Sequence, residues 1–445
     1  MSDELESLAA DAYVYGFPLV SGLSMMDRFV RVGMGVLPPT PFNRFAHATR
    51  LAAPDTRFVS VNNDTVYSIA QLDLSGGPLL LHTPDTGGAY HVLQFVDAWS
   101  ANFAYLGSRA TGTGEGSWAI VPPGWSGTEP AGVRGVIDAP TAVVTIVGRN
   151  ACAGPADLPR VRALQQELTL TPLGEPHPTG LPTPDPAVPG ALRFFERMRV
   201  WSADFPPAAP DQAYQERFQP LGLLEEGPSP YASAGPELAD ALEAGLAEGA
   251  RRVEEANTAP AADGGEPGAW VSDPHLFDHN LDHFGVGTLD EARWKAADRT
   301  ASYLRRAVAA RAGLWGNHGY EAVYAYTFRD ADGEPLTGDR RYTLTFDSPP
   351  PVAAFWSVTM YDVPEYHLVA NPVDRYSIGD RTPGLVRGTD GSLTIRIQHD
   401  PPPDEANWLP APEGAFRPMI RLYLPREPVL DGSYTLPRIE RVRTG

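Results

Sequence analysis

Lysine is almost missing from this 445-residue chain: Lys295 is the only one, so imine chemistry on a lysine amine has a single candidate. Cysteine is equally scarce. Cys152 stands alone, which excludes an internal disulfide. Its neighbours Arg149, Asn150, Ala151, Ala153 and Gly154 supply no base to activate the thiol, so it reads as a small hydrophobe. No apolar run reaches the roughly 18 residues that a membrane-spanning helix requires. The stretch MSDELESLAADAYVYGFPLV lacks the basic start and unbroken apolar segment of an export signal, so a cytoplasmic location is expected. Positive charge is also short. The net charge is −20, which repels phosphate backbones and anionic lipid; neither nucleic acid nor a membrane is the expected partner. Gly-x-Ser-x-Gly and Gly-x-Gly-x-x-Gly are absent, so neither a hydrolase nucleophile elbow nor a dinucleotide cofactor is indicated. Thr111–Gly116 is glycine-rich but lacks the Gly-Lys-Ser/Thr of a phosphate loop.

Proline (46) and glycine (43) are abundant, so turns and short strands are expected instead of a helical bundle. Residues 3–31 follow helical spacing, with Gly16-Phe17-Pro18 expected to split them into two short helices. Residues 55–150 alternate in short apolar runs bounded by turn residues, the pattern of an antiparallel sandwich or barrel, with Asp85–Gly88 expected as a hairpin turn. A helix is expected at 156–172, then a proline-rich extended linker at 173–190. Helical patterns follow at 190–202, 210–218, 236–256 and 289–312, with a small-residue loop at 257–269. From residue 320 period-two alternation returns, and Asp330–Glu334 reads as a hairpin turn with Gly333 at positive φ. The reading is a mainly β protein with α additions: N-terminal helices (1–35), a β domain (36–155), a helical and Pro-rich middle (156–312) and a C-terminal β-sandwich (313–445).

Four groups of residues are candidates for chemistry. In Asn62-Asn63-Asp64-Thr65-Val66-Tyr67, polar side chains interrupt an apolar strand. Such residues make bulges and turns, or place Asp64 as a buried general acid or base oriented by Asn63 and Tyr67. In the run from Trp356 to Asp362, period two puts Trp356, Val358 and Met360 on one face and Ser357, Thr359 and Tyr361 on the other. The second face lines a polar cleft if Asn371 and Arg375 join it, Arg being suited to clamp a carboxylate or phosphate; Asp374–Arg375 as a structural pair is the competing reading. Trp408 between Asn407 and Pro410 is a rigid wall for a ring or sugar, or a packed corner. His275, His279 and His283 would bring two or three imidazoles to a metal on one helical face. Asp273-Pro274 before them and Gly285 and Gly287 after them leave little room for a helix, so a structural role is favoured.

Longer stretches carry a resemblance. AYVYGFPLV, NRFAHATRL, VNNDTVYSIAQLDLSGGPLLLHTP and AYHVLQFVDAWSANFAYLGSRATG are similar to the domain of unknown function numbered 1254. YTLTFDSPPPVAAFWSVTMYD, ANPVDRYSIGD, DGSLTIRIQHDPP and NWLPAPEGAFRPMIRLYLPREPVLDGSYTLPRI resemble its usual partner, the domain numbered 1214. The resemblance implies two antiparallel β-sandwich (jelly-roll-like) domains with helical additions, and no general mechanism. Relatives commonly carry Arg before the tyrosine pair where this chain has Ala89-Tyr90-His91; if that Arg clamps a ligand, His91 is the group left beside it here.

Three functions follow as expectations. The first is a cofactor-independent enzyme acting by acid–base chemistry on a small organic molecule as hydrolase, lyase or isomerase. Asp64 would be the reactive group, with Trp356, Tyr361, Asn371, Arg375, Trp408 and His91 around the substrate. The second is a non-catalytic glycan- or ligand-binding module; the third is metal-dependent hydrolysis at the histidines. A homo-oligomer is left open.

Overall fold

The computed structural model describes residues 2–56, 59–174, 178–258 and 266–443. The chain begins with one helix, α1 (Ser2–Val32), and Pro18 lies inside it. The expected break at Gly16-Phe17-Pro18 is therefore corrected. Proline removes one backbone hydrogen bond, but burial outweighs it: Tyr15, Leu19, Leu23 and Met26 all sit in a packed core. Gly16 serves packing instead of helix termination, since a Cβ there would lie 2.3 Å from Met198 Sδ.

The N-terminal sandwich holds β1 (Arg44–His47), β2 (Thr65–Asp73), β3 (Leu79–Thr83), β4 (His91–Asp97), β5 (Asn102–Gly107), β6 (Gly116–Val121), β7 (Val136–Asp138), β8 (Val143–Ala151) and β9 (Thr169–Pro172). One sheet runs β1-β2-β8-β4-β5 and the other β7-β6-β3-β9. Leu72, Leu81, Phe95, Phe103, Trp118, Ile120 and Ile146 fill the space between them. Asp85–Gly88 joins β3 in one sheet to β4 in the other, so it is a crossing between sheets and not the expected hairpin. The expected helix at 156–172 is shorter: α2 (Leu158–Glu167) ends, and Thr169–Pro172 pairs with β3. The Thr-Leu-Thr run favours that strand.

Helices α3 (Arg193–Asp204), α4 (Ala209–Gln215), α5 (Pro236–Thr258) and α6 (Arg299–Gly313) match the helical patterns, except that α6 starts ten residues later than the 289 expected. Asp298 sets its start by accepting a hydrogen bond from the Ala301 amide at 2.7 Å. Within the expected loop at 257–269, residues 259–265 lie outside the described set. Helix α5 crosses α1 closely because Gly245 and Gly249 carry no side chain; a Cβ on Gly245 would meet Ala9 Cβ at 2.3 Å and the Ala10 amide nitrogen at 2.8 Å. Gly245→Ala is expected to force the helices apart and destabilise the protein by about 1–3 kcal/mol. Chemical denaturation checks this, and an unchanged or raised midpoint would contradict the packing argument.

The C-terminal sandwich holds β10 (Val271–Ser272), β11 (Ala322–Tyr326), β12 (Tyr342–Phe346), β13 (Val352–Asp362), β14 (Ser377–Gly379), β15 (Leu393–Gln398), β16 (Trp408–Pro410), β17 (Phe416–Pro425) and β18 (Ile439–Arg441), with a short α7 (Glu427–Leu430). Its sheets run β10-β11-β17-β13-β14 and β16-β15-β12-β18. Most pairings in both sandwiches are antiparallel; β6–β7 and β15–β16 are parallel. The turn at Asp330–Glu334 forms as expected, with Gly333 at φ 84° and the Asp330 amide donating to Glu334 O at 2.9 Å. The fold is thus mainly β, two sandwiches with helical additions. Among the described residues no helix is long and apolar enough to cross a membrane.

Strand β13 shows why the two sandwiches meet. Trp356, Val358 and Met360 point into the C-terminal core with Leu344, Ile395 and Ile420. Period two sends Ser357, Thr359 and Tyr361 to the opposite face. That face lies against residues 60–64, which lead into β2, and forms a buried polar seam between the domains.

Candidate functional site in the interdomain seam

The polar run before β2 divides its labour. Asn62 makes the turn: its Oδ1 accepts from the amides of Asp64 (2.7 Å) and Thr65 (3.2 Å). Asn63 donates to Ala52 O at 2.6 Å and accepts from the Ser377 hydroxyl at 3.2 Å, so its side chain is directed away from the Asp64 carboxylate. Asp64 is different. It is 3% exposed, and its Oδ2 accepts from the hydroxyl of Ser357 at 2.6 Å and of Tyr423 at 3.3 Å, both in the other domain. Asn62 Nδ2 donates to the same Tyr423 oxygen at 2.8 Å. The carboxylate is therefore oriented by Asn62, Ser357 and Tyr423, and both groups on Oδ2 carry exchangeable protons.

Arginines and phenols surround it. Arg421 donates to Thr359 Oγ1 (3.0 Å), to Ser60 O (2.8 Å) and to the Tyr361 hydroxyl (2.8 Å), while Tyr361 donates to Val61 O at 2.6 Å. Burial opposes the charge on Arg421, but Tyr361, Tyr423 and Asp64 outweigh it and hold its pKa above the ordinary value. Arg417 donates to the Ser60 hydroxyl and lies within 4.1–5.9 Å of the ring centroids of Tyr326, Phe328, Tyr361 and Tyr366; burial lowers its pKa. Arg381 donates to Asp64 O at 3.2 Å. Across the seam, Arg149 of β8 donates to Gln94 Oε1 (2.7 Å), Asn317 Oδ1 (3.1 Å) and Trp315 O (3.0 Å), and sits 5.4 Å from the Tyr67 ring. Tyr67 thus faces Arg149. Tyr324 is half-buried, yet burial is the first cause that raises its phenol pKa. Tyr324 is also the register partner of Arg421 in the pairing of β11 with β17, and Tyr67, like Tyr324, keeps part of its surface accessible. Asp64, Arg421, Tyr324 and Tyr67 all act electrostatically on Tyr423, so these groups form one cluster around the carboxylate.

A second buried pair lies in the same seam. Glu321 Oε2 accepts from Arg109 Nε at 2.7 Å and Oε1 from the Tyr90 hydroxyl at 3.1 Å. Burial raises its pKa against the pull of Arg109. Arg109 lies 4.6 Å from the Tyr320 ring centroid, and His318 Nδ1 is 3.0 Å from the hydroxyls of both Tyr105 and Tyr320. The segment from Gly316 to Glu321 was not singled out in the sequence; neither were Arg149, Arg417, Arg421 and Tyr423, which occupy ordinary alternating strands.

The other sequence candidates lie elsewhere. Trp356 is in the C-terminal core against Phe346 (4.6 Å between centroids). Trp408 is fully buried and donates to Gln398 O at 2.9 Å, a packed corner. Asn371 and Arg375 close a loop: Asn371 bonds Val369 O and the Arg375 backbone, and Arg375 Nη1 donates to Glu405 O at 2.6 Å and Trp408 O at 2.8 Å. Those bonds do not reach Asp64. His91 faces a cavity of about 10 Å³, the room of one water, lined by Thr83, Thr86, Asn150, Leu164 and Leu168. The histidine run is a turn and not a helix, and its side chains diverge. His275 Nδ1 is 2.6 Å from Asp278 Oδ2, while His279 Nε2 is 2.9 Å from Ser100 O. Among the described residues no three His, Cys, Asp or Glu side chains are grouped to hold a metal, and His275, His279 and His283 do not meet at one point.

Buried histidines set the response to acid. Burial pushes His91 and His279 down to about 4 and His318 to about 3. A base whose folded pKa is depressed gives stability that is present above the unfolded value of 6.5 and lost as pH falls toward 4; a shift of that size corresponds to about 3 kcal/mol. Burial raises Asp97 and Asp278 to about 6, which acts oppositely as pH falls from 6 to 3.8. Three histidines with larger shifts outweigh two acids. The unfolding midpoint is expected to fall between pH 7 and pH 4.5, measured by denaturation at constant ionic strength; a midpoint that rises over that range would contradict the assignment.

The fold and the seam define a class: two β-sandwiches locked face to face through buried carboxylates, arginines and phenols. The chain matches Protein of unknown function (DUF1254) over residues 42–172 and Protein of unknown function (DUF1214) over residues 321–427. The resemblance carried by the N- and C-terminal stretches is thus shown. The VPA0106 protein from Vibrio parahaemolyticus has a crystal structure that shares the fold, at 24% identity over 99% of this chain and 100% of that one, with a TM-score of 0.74. An uncharacterized protein from Burkholderia cenocepacia aligns with 98% of this chain and 89% of its own at 12% identity and a TM-score of 0.45. No curated protein matches the sequence.

Proposed function

We propose that the protein is a cytoplasmic, cofactor-independent enzyme that performs acid–base chemistry on a small organic molecule in the interdomain seam. One observation carries this reading: the buried Asp64 carboxylate is held by two proton-bearing hydroxyls from the opposite domain, in a cluster whose phenols Tyr67 and Tyr324 keep part of their surface accessible. A carboxylate needed only to pin a turn would be used up by local amides, as Asn62 is. Asp64 takes a proton from the substrate, directly or through Ser357, whose own proton passes to Asp64 as it accepts the substrate's. Tyr423 returns a proton to the product side as it takes up the one held on Asp64 Oδ2, 3.3 Å away, which restores both groups. Hydrolysis, elimination and isomerisation all use such a pair.

The experiment is substrate discovery by difference. Wild-type protein and Asp64→Asn are each incubated with a small-molecule extract of the producing cell, and consumption is followed by mass spectrometry. At least one compound is expected to disappear with wild type and persist with the variant. Identical profiles from two folded proteins would reject the enzyme reading and leave the Asp64–Ser357 contact as an interdomain latch.

A further inference from the structure

The charges in the seam do not balance. Arg149 and Arg421 are 5% and 2% exposed, and Arg417 is 7% exposed. Among the described residues none of the three has a carboxylate within ion-pair distance; the seam's one arginine–carboxylate pair of that kind is Arg109–Glu321. Asp64 is the remaining buried acid on their side, and its described bonds go to hydroxyls. Moreover, the Nε of Arg149, of Arg417 and of Arg421 is buried without a hydrogen-bond partner. An unpaired buried guanidinium and an unused N–H are each costly, and ordered water, an ion or a ligand is what satisfies such groups. Phenols soften the charge on these arginines but do not neutralise it.

We infer that the substrate is a small organic anion, a carboxylate- or phosphate-type head on an apolar or aromatic body, with the head set between Arg149 and Arg421 and the body against the rings of Tyr67 and Tyr324. This rests on the reading of the seam as a substrate site and adds the charge class. Arg149 lies 5.4 Å from the Tyr67 ring and Arg421 pairs with Tyr324 in the β11–β17 register, so two guanidinium groups, each with a spare Nε–H, flank the same phenols and can give one anionic group charge-assisted hydrogen bonds. The two aromatic walls supply the contact surface that small ligand sites use. The strongly acidic surface does not oppose this, because at physiological salt the surface charges are screened over about 8 Å while the arginines are buried.

The test is calorimetric titration of the full chain with benzoate, phenyl phosphate and inorganic phosphate at fixed ionic strength set with chloride, using benzamide as the uncharged control. Benzoate or phenyl phosphate is expected to bind saturably and benzamide not to. Benzoate alone assigns a carboxylate head and phenyl phosphate alone a phosphate head. Arg149→Gln or Arg421→Gln is expected to weaken binding about tenfold or more. Binding of none of the anions above the benzamide level overturns the inference on wild-type protein alone, so it stays testable even when the arginine variants fail to fold. Folded variants that bind as tightly as wild type overturn it as well. The two readings fail separately: anion binding with full turnover by Asp64→Asn removes the acid–base role, and loss of turnover without anion binding removes the charge class.

Discussion

Arg109→Met is expected to lower stability by about 3–5 kcal/mol, the cost of leaving a buried carboxylate without its partner. Glu321 is 1% exposed, and Arg109 contributes a 2.7 Å bond to it while tying Gly287 O at 2.6 Å. Methionine keeps the packing against Tyr105 and Tyr320 but removes the charge. Glu321, whose pKa burial already raises, then escapes part of the cost by taking up a proton. The sign follows: an acid with a raised folded pKa loses stability as pH rises through that window, so the loss should be larger at pH 8 than at pH 5. Adding Glu321→Gln should recover much of it. Denaturant melts of the three proteins at both pH values check the claim. A loss under about 1 kcal/mol, or no recovery in the double variant, would show that the pair contributes little.

Asp64→Asn is expected to reduce turnover by about a hundredfold to ten-thousandfold while preserving the fold, the usual worth of a positioned general acid or base. The amide oxygen of asparagine still accepts from Ser357, so the interdomain contact survives while the proton acceptor is lost. Ser357→Ala and Tyr423→Phe should each give smaller losses, and Ser357→Ala combined with Asp64→Asn should lose little beyond Asp64→Asn alone, because groups that act as a unit are not additive. Additive losses would separate Ser357 from the proton path.

The strands were legible because period two is a strong signal. In β13 it assigned Trp356, Val358 and Met360 to one face and Ser357, Thr359 and Tyr361 to the other, and the core is on the first. Sheet partners were not legible: alternation says which face is buried, not which strand lies alongside, so the Asp85–Gly88 crossing read as a hairpin. Pro18 misled because tertiary burial overrides a local breaker. Asp64 stood out as a charge among polar residues in an apolar strand, but its partners Ser357 and Tyr423 are 293 and 359 residues away, beyond any spacing rule. Arg149 and Arg421 escaped notice because an arginine in an alternating strand normally faces water. Here a second domain covers that face. Trp408 drew attention as an aromatic wall and Trp356 as a residue beside the substrate, but the size that suits tryptophan to either also makes it a good core residue.

The most direct test of the account is the initial rate of Asp64→Asn on whichever small molecule the wild-type protein consumes, taken beside its near-ultraviolet circular dichroism. A native spectrum with a rate at least about a hundredfold lower is expected. A native spectrum with a wild-type rate would contradict it.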